Sequence, residues 1–231
     1  MGTKPEISYP LKILAKSVKS FGHKHIRLAK HIMRWCAKTR KVGIVYRSGN
    51  GLRMQIFTDS SHASCPDTRK SITALVVKIG GNTVFWMCVF QSIVSHSSTE
   101  SELMALDKGA TLGQFILWIY ERVRGMAHGP ICVFVDNQGT IDLTQNPIQP
   151  GRNLHVHARY FYVRDLVKAK VYTILHLPSK MQIADVLATF KGGANFRTLY
   201  PLIIGCAQIM RNNETEELFW DTTKLSVTNV E

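Results

Sequence analysis

The chain has 231 residues, 45% hydrophobic and 19% charged, which suits one ordinary domain with extensions or two small ones and excludes wholesale disorder. Its 29 Lys and Arg against 16 Asp and Glu leave a net charge of +13 and a pI near 9.7; that balance fits a polyanionic partner, nucleic acid before membrane, or serves solubility alone. No apolar run reaches the roughly 18 residues of a membrane span, residues 1–6 lack a secretory core, and five scattered cysteines without a CxxC pair read as reduced thiols of an intracellular protein.

Residues 1–47 read as a basic helical lead-in. Between Lys24 and Lys41, Leu28, Ile32, Trp35 and Cys36 recur at helical spacing, while Arg27, Lys30, Arg34, Lys38 and Lys41 line another face. That face is either a stripe that tracks phosphates or the solvated side of a packing helix. After Gly43, Ile44 to Arg47 read as a strand running into a turn at residues 48–51. Three strand candidates follow, Leu52 to Thr58, Ile72 to Ile79 and Thr83 to Phe90, the last two joined by the hairpin signal Gly80-Gly81-Asn82.

A polar stretch then leads into a long helix from about Thr99 to Arg124, its apolar face drawn by Leu103, Leu106, Ala110, Leu117 and Tyr120. Ile131 to Val135 is a continuous apolar run of the kind buried on both faces of a sheet. Gln138 to Gln145 is a short helix stopped by Pro147, His155 to Lys170 another helix, and Val171 to Leu177 a last strand. Ser179 with Gln182 offers a capping box for a helix carrying Asp185. Beyond Gly205 the sequence turns acidic and polar, and residues 206–231 read as a mobile tail. The order predicts an α/β fold, a mixed five-stranded sheet flanked by helices, with 48–205 as its domain and 1–47 as an extension.

Four carboxylates fall at element ends: Asp59 where the first core strand stops, Glu102 in the first turns of the long helix, Asp136 after the buried strand, and Asp185 on the late helix. Singly, each has a local explanation, a turn at Asp59, a cap at Asp136 or Asn137, a capping box between Thr99 and Glu102. Together they would repel one another unless cations neutralise them. Magnesium, a hard ion for oxygen ligands, suits that task. Two such ions about 3.5–4 Å apart would serve phosphodiester hydrolysis. Glu100 and Glu102 point to nearly opposite sides of a helix, and the phase set by Leu103 and Leu106 selects Glu102.

Several stretches resemble the ribonuclease H domain at the end of the polyprotein of copia-type LTR retrotransposons. They are residues 38–59 (KTRKVGIVYRSGNGLRMQIFTD), 66–72 (PDTRKSI), 97–106 (SSTESELMAL), 135–147 (VDNQGTIDLTQNP) and 183–187 (IADVL), with His155, Arg159, Tyr160 and Arg164 between the last two. The likeness runs in unbroken order over about 23–205, and residues before about 40 resemble the tail of the preceding reverse transcriptase. It implies a ribonuclease H-like fold that cuts the RNA strand of an RNA–DNA hybrid with two Mg2+ or Mn2+ ions, its acids falling on Asp59, Glu102, Asp136 and Asp185. By the same resemblance His155 has a part in product release or a structural place at a helix start, and Arg69, Lys70, Asn137, Gln138, Arg152 and Arg159 are candidates for contact with nucleic acid. The implied partners are the hybrid and the rest of a polyprotein, with no membrane, in a cytoplasmic particle or the nucleus.

Departures from the family pattern are also present. Asp59-Ser60-Ser61-His62 stands where the family has Asp-Ala-Asp-Trp, and Met87 to Gln91 lack a basic pair. Position 157 is histidine where the family has an acid, and Phe190 replaces a lysine beside Lys191. A catalytically inactive relic that keeps the fold and nucleic-acid binding is therefore the alternative expectation.

Overall fold

The computed structural model describes residues 3–48, 51–125, 129–145, 154–190, 193–212, 215 and 217–222, the side chains of 154–160 excepted. Five strands form one mixed sheet in the order β3-β2-β1-β4-β5: β1 Met54–Ser61, β2 Ile72–Ile79, β3 Asn82–Phe90, β4 Ile131–Val135 and β5 Tyr172–His176. β1 to β3 form an antiparallel meander, whereas β4 and β5 run parallel to β1, as the intervening helices require. The helices are α1 Ser8–Lys16, α2 His23–Lys38, α3 Ser98–Arg124, α4 Gln138–Gln145, α5 Leu154–Lys168, α6 Asp185–Ala188 and α7 Gly193–Ile204. The fold is the expected α/β arrangement, a mixed five-stranded sheet flanked by helices, with a helical N-terminal extension. Among the described residues no helix is long and apolar enough to cross a membrane.

The pleat sorts the side chains onto two cores. Met54 and Ile56 of β1, with Val133 and Val135 of β4, meet Leu106 and Ala110 of α3. Phe57 and Phe134 point the other way, toward α6 and α7, their rings stacked at 4.9 Å. α3 lies close on β1 because Gly109 and Gly113 face it; a Cβ at Gly109 would stand 2.7 Å from Cγ2 of Thr58.

Three expectations need correction. Ile44 to Arg47 is not a strand. The amide of Val45 reaches the carbonyl of Ile204, and the Asn82 side chain bonds both backbone groups of Arg47, so the segment is held without a neighbouring ladder. The Ser179–Gln182 capping box does not form: 179–181 is a 3-10 turn, and both side chains are drawn to partners on the sheet. Beyond Gly205 the chain makes a two-stranded hairpin, β6 Gln208–Arg211 with β7 Leu218–Asp221. Trp220 of β7 stacks on Phe57 at 5.4 Å and donates to the carbonyl of Met181.

The hairpin and the end of α7 meet at Lys78, which has no exposed surface. Its ammonium donates to the carbonyls of Leu202 (2.5 Å), Ala207 (2.8 Å) and Gly81 (3.2 Å), and the carbonyl of Gly205 lies at 3.5 Å. Burial pulls its pKa down, to about 7, while the surrounding carbonyls, all acceptors, favour the charged form.

Candidate metal centre

β1 and β4 end side by side, and that end of the sheet gathers the acids. Phe57 pairs with Phe134 across the parallel ladder, and Asp59 and Asp136 each follow two residues later, so both carboxylates stand on the α6 face. Glu102 arrives from the other layer. It shares the sheet-facing stripe of α3 with Leu106 and Gly109, and the first turns of α3 overhang the end of β1. The carboxylates of Asp59, Glu102 and Asp136 each offer an oxygen within 4.8 Å of the others.

Backbone and hydroxyl groups fix two of these carboxylates. Oε1 of Glu102 accepts from the amide of Ser60 at 2.9 Å and from its hydroxyl at 2.8 Å. Oδ2 of Asp136 accepts from the hydroxyl of Ser179 at 2.9 Å. Gln182 is fully buried and donates to the carbonyls of Thr58 and Phe134, which ties the ends of β1 and β4 together just before the two aspartates. Sequence reasoning missed these supports. The small polar Ser60 after Asp59 was the only signal for the first, and Ser179 and Gln182 had a plausible local use.

The surroundings of Glu102 disfavour its charged form. Burial raises its pKa from 4.5 to about 8, the negative charges of Asp136 and Asp185 push the same way, and the bonds from Ser60 oppose. Its Oε2 is buried with no hydrogen-bond partner among the described residues. An orphaned carboxylate oxygen among two more carboxylates fits a hard divalent cation, and these three residues can hold one.

Asp185 opens α6, half-buried, and acts on Glu102 through its charge, but it stands outside the close group of three. Glu100 turns away and accepts from the amide of His96, while Ser97 caps α3. Glu102 thus forms no capping box with Thr99. Asn137 does act as a local cap, accepting from the amide of Thr140, and Gln138 donates to Asp142. Arg69 is exposed in the turn between β1 and β2, with a φ of 54°, and Lys70 follows it half-buried. His155 and Arg159 lie on α5 with their side chains outside the described set, and Arg152 is outside the described residues.

Among known sequences, the chain is 27% identical over 185 residues to the retrovirus-related Pol polyprotein from transposon RE1 of Arabidopsis thaliana, covering 80% of this chain and 13% of that one. It is 25% identical over 187 residues to the Pol polyprotein from transposon TNT 1-94 of Nicotiana tabacum, covering 80% and 14%. The chain therefore spans about an eighth to a seventh of these relatives' length. No family model matches. Among solved structures, ribonuclease H1 from Halobacterium salinarum aligns with a TM-score of 0.44 and 17% identity over 59% of this chain and 94% of that one. The similarity to retrotransposon Pol polyproteins over four-fifths of the chain agrees with the resemblance drawn from its motifs.

Proposed function

We propose that this chain is the ribonuclease H portion of a copia-type retrotransposon Pol polyprotein, hydrolysing the RNA strand of RNA–DNA hybrids. The observation that carries the reading is the convergence of Asp59, Glu102 and Asp136, from two strands and a helix, with a buried oxygen of Glu102 left unpartnered. Those three would hold one Mg2+ or Mn2+ ion, and Asp185 with its neighbours a second. Bound there, the ions supply an activated water and neutralise charge on the leaving oxygen.

The chain's own residues supply position. Ser60 aims Glu102, Ser179 aims Asp136, and Gln182 keeps β1 and β4 from parting. The open end of the sheet leaves the backbone of a duplex to approach, and the 2′-hydroxyls of its RNA strand would distinguish a hybrid from DNA. Residues 48–205, closed by the β6–β7 hairpin, would form the nuclease unit, with 1–47 belonging to the polymerase tail.

The test is cleavage of an end-labelled RNA–DNA hybrid by the full chain with Mg2+, beside Asp59→Asn and Asp136→Asn. The expected outcome is cutting of the RNA strand by wild type and a loss of about 100-fold or more in either variant, with unchanged melting. A wild-type protein that binds hybrid and cuts nothing would favour the inactive relic.

A further inference from the structure

The charge of the molecule is concentrated at one end. Twelve of the 29 Lys and Arg, but one of the 16 acidic residues, lie in residues 1–48, which carry +11 of the net +13. The nuclease fold itself is nearly neutral. None of the candidate nucleic-acid contacts named from the motifs lies in this segment.

Helix α2 organises that charge. Lys24, Arg27, Lys30, Arg34 and Lys38 are all exposed, and at helical spacing they share an arc of about 120°. Beside that arc the helix is occupied: Ile32 is buried, and Trp35, at the edge of the arc, meets Phe196 and Tyr200 of α7 edge-on and donates to Glu6. Among the described residues, no ion pair engages any of the five cations. Glu6, the acid of this segment, is buried and already bonded to Trp35.

The stripe also borders the segment that follows Asp185. Arg27, Lys30, His31 and Arg34 line one groove with Phe190, and His31, Ile32 and Trp35 line another with Val186, Thr189 and Phe190. Those partners belong to α6 and the residues directly after it, and α6 begins at Asp185.

Resting on the nuclease reading above, we infer that α2 is a rail for the sugar-phosphate backbone of the duplex, holding it while the carboxylate end of the sheet reaches the RNA strand. From Lys24 to Lys38 the rail runs about 21 Å, the length of about six nucleotides of one strand. A duplex is favoured over a membrane because a helix lying on a bilayer needs a broad free apolar face; Ile32 is buried and Trp35 packs on α7, which leaves only Ile26 and Met33 of the large apolar residues of α2 exposed.

The test uses the full chain carrying Asp59→Asn, so that hybrid is bound without turnover, and measures binding against salt. Replacing Arg27, Lys30 and Arg34 by Gln should make the slope of log K against log salt shallower by about 2–3, near 0.9 for each phosphate no longer neutralised. A control with the same charge change, Lys108→Gln with Arg122→Gln and Arg124→Gln on exposed sites of α3, should leave the slope in place. An unchanged slope in the α2 variant, or equal changes in both, overturns the rail. So does wild-type binding to phosphatidylserine vesicles in preference to hybrid. The nuclease reading fails separately: a protein with Asp59 intact that cuts nothing, while α2 still sets the slope, loses the activity and keeps the rail.

Discussion

At the scale of single residues, Glu102 joins the chemistry of the site to the stability of the fold. Its carboxyl is buried and holds its proton more tightly than it would in the unfolded chain, whose ordinary value is 4.5. A raised pKa means that the contribution is fully present below about 4.5 and is lost as the pH climbs through about 8. In chelator the Glu102→Gln variant should therefore gain on wild type in melting temperature as the pH rises across that window. Mg2+ should restore wild type alone, because the cation binds the ionised form. Melting curves that run parallel at every pH would mean that Glu102 is an ordinary carboxylate. The choice of Glu102 over Glu100 was legible because helical phase fixes which of two acids faces a sheet. Ser179 and Gln182 were not: their local pattern matched a cap, and only the folded chain shows that carbonyls and a carboxylate on the sheet compete better for those side chains.

At the scale of elements, the packing of α3 on β1 sets where Glu102 meets Ser60. Gly109 lets the helix lie against Thr58, the residue next to Asp59. Gly109→Ala should gain about 1 kcal/mol of helix propensity and lose about 1–3 kcal/mol to overpacking. The predicted net effect is a loss of stability with reduced cleavage, as Thr58 is pushed and Asp59 moves with it. An alanine variant that melts higher and cuts normally would show that the helix can recede at no cost. The strands and helices of the sheet were legible because each is long enough to show its period, or apolar enough to demand burial, as Ile131 to Val135 does. The hairpin of β6 and β7 was not, since two four-residue strands flanked by acidic and amide residues carry almost no period. Ile44 to Arg47 erred the other way: its composition suits a strand, but no ladder stands beside it.

At the scale of the whole molecule, the segments before and after the five-stranded sheet close the fold. Trp220 lies over both Phe57 and Lys78, with the ammonium 5.2 Å from its ring centre, and Ile209 accepts from Gln55. A chain ending at residue 205 lacks that tryptophan, the acceptor for Gln55 and one carbonyl around a buried cation. We expect its cost to match the loss of a buried tryptophan, about 3–5 kcal/mol, lowering the melting temperature by about 10 °C. Equal melting of the shortened and full chains would reduce the hairpin to an ornament. The N-terminal helices are engaged in the same way, through Trp35 on α7 and Tyr9 and Ile13 on the core beneath α6.

The paired register of β1 and β4 also bears on how this chain tolerates change in its length. Asp59 and Asp136 stand on one face because each lies two residues beyond a partner in the ladder, Phe57 and Phe134. Substitution along either strand alters packing but leaves that parity intact. Inserting or deleting one residue between partner and aspartate reverses it, sending one carboxylate to the opposite face while the strands still pair. Over long divergence the site should therefore accept replaced letters far more readily than a changed count of them.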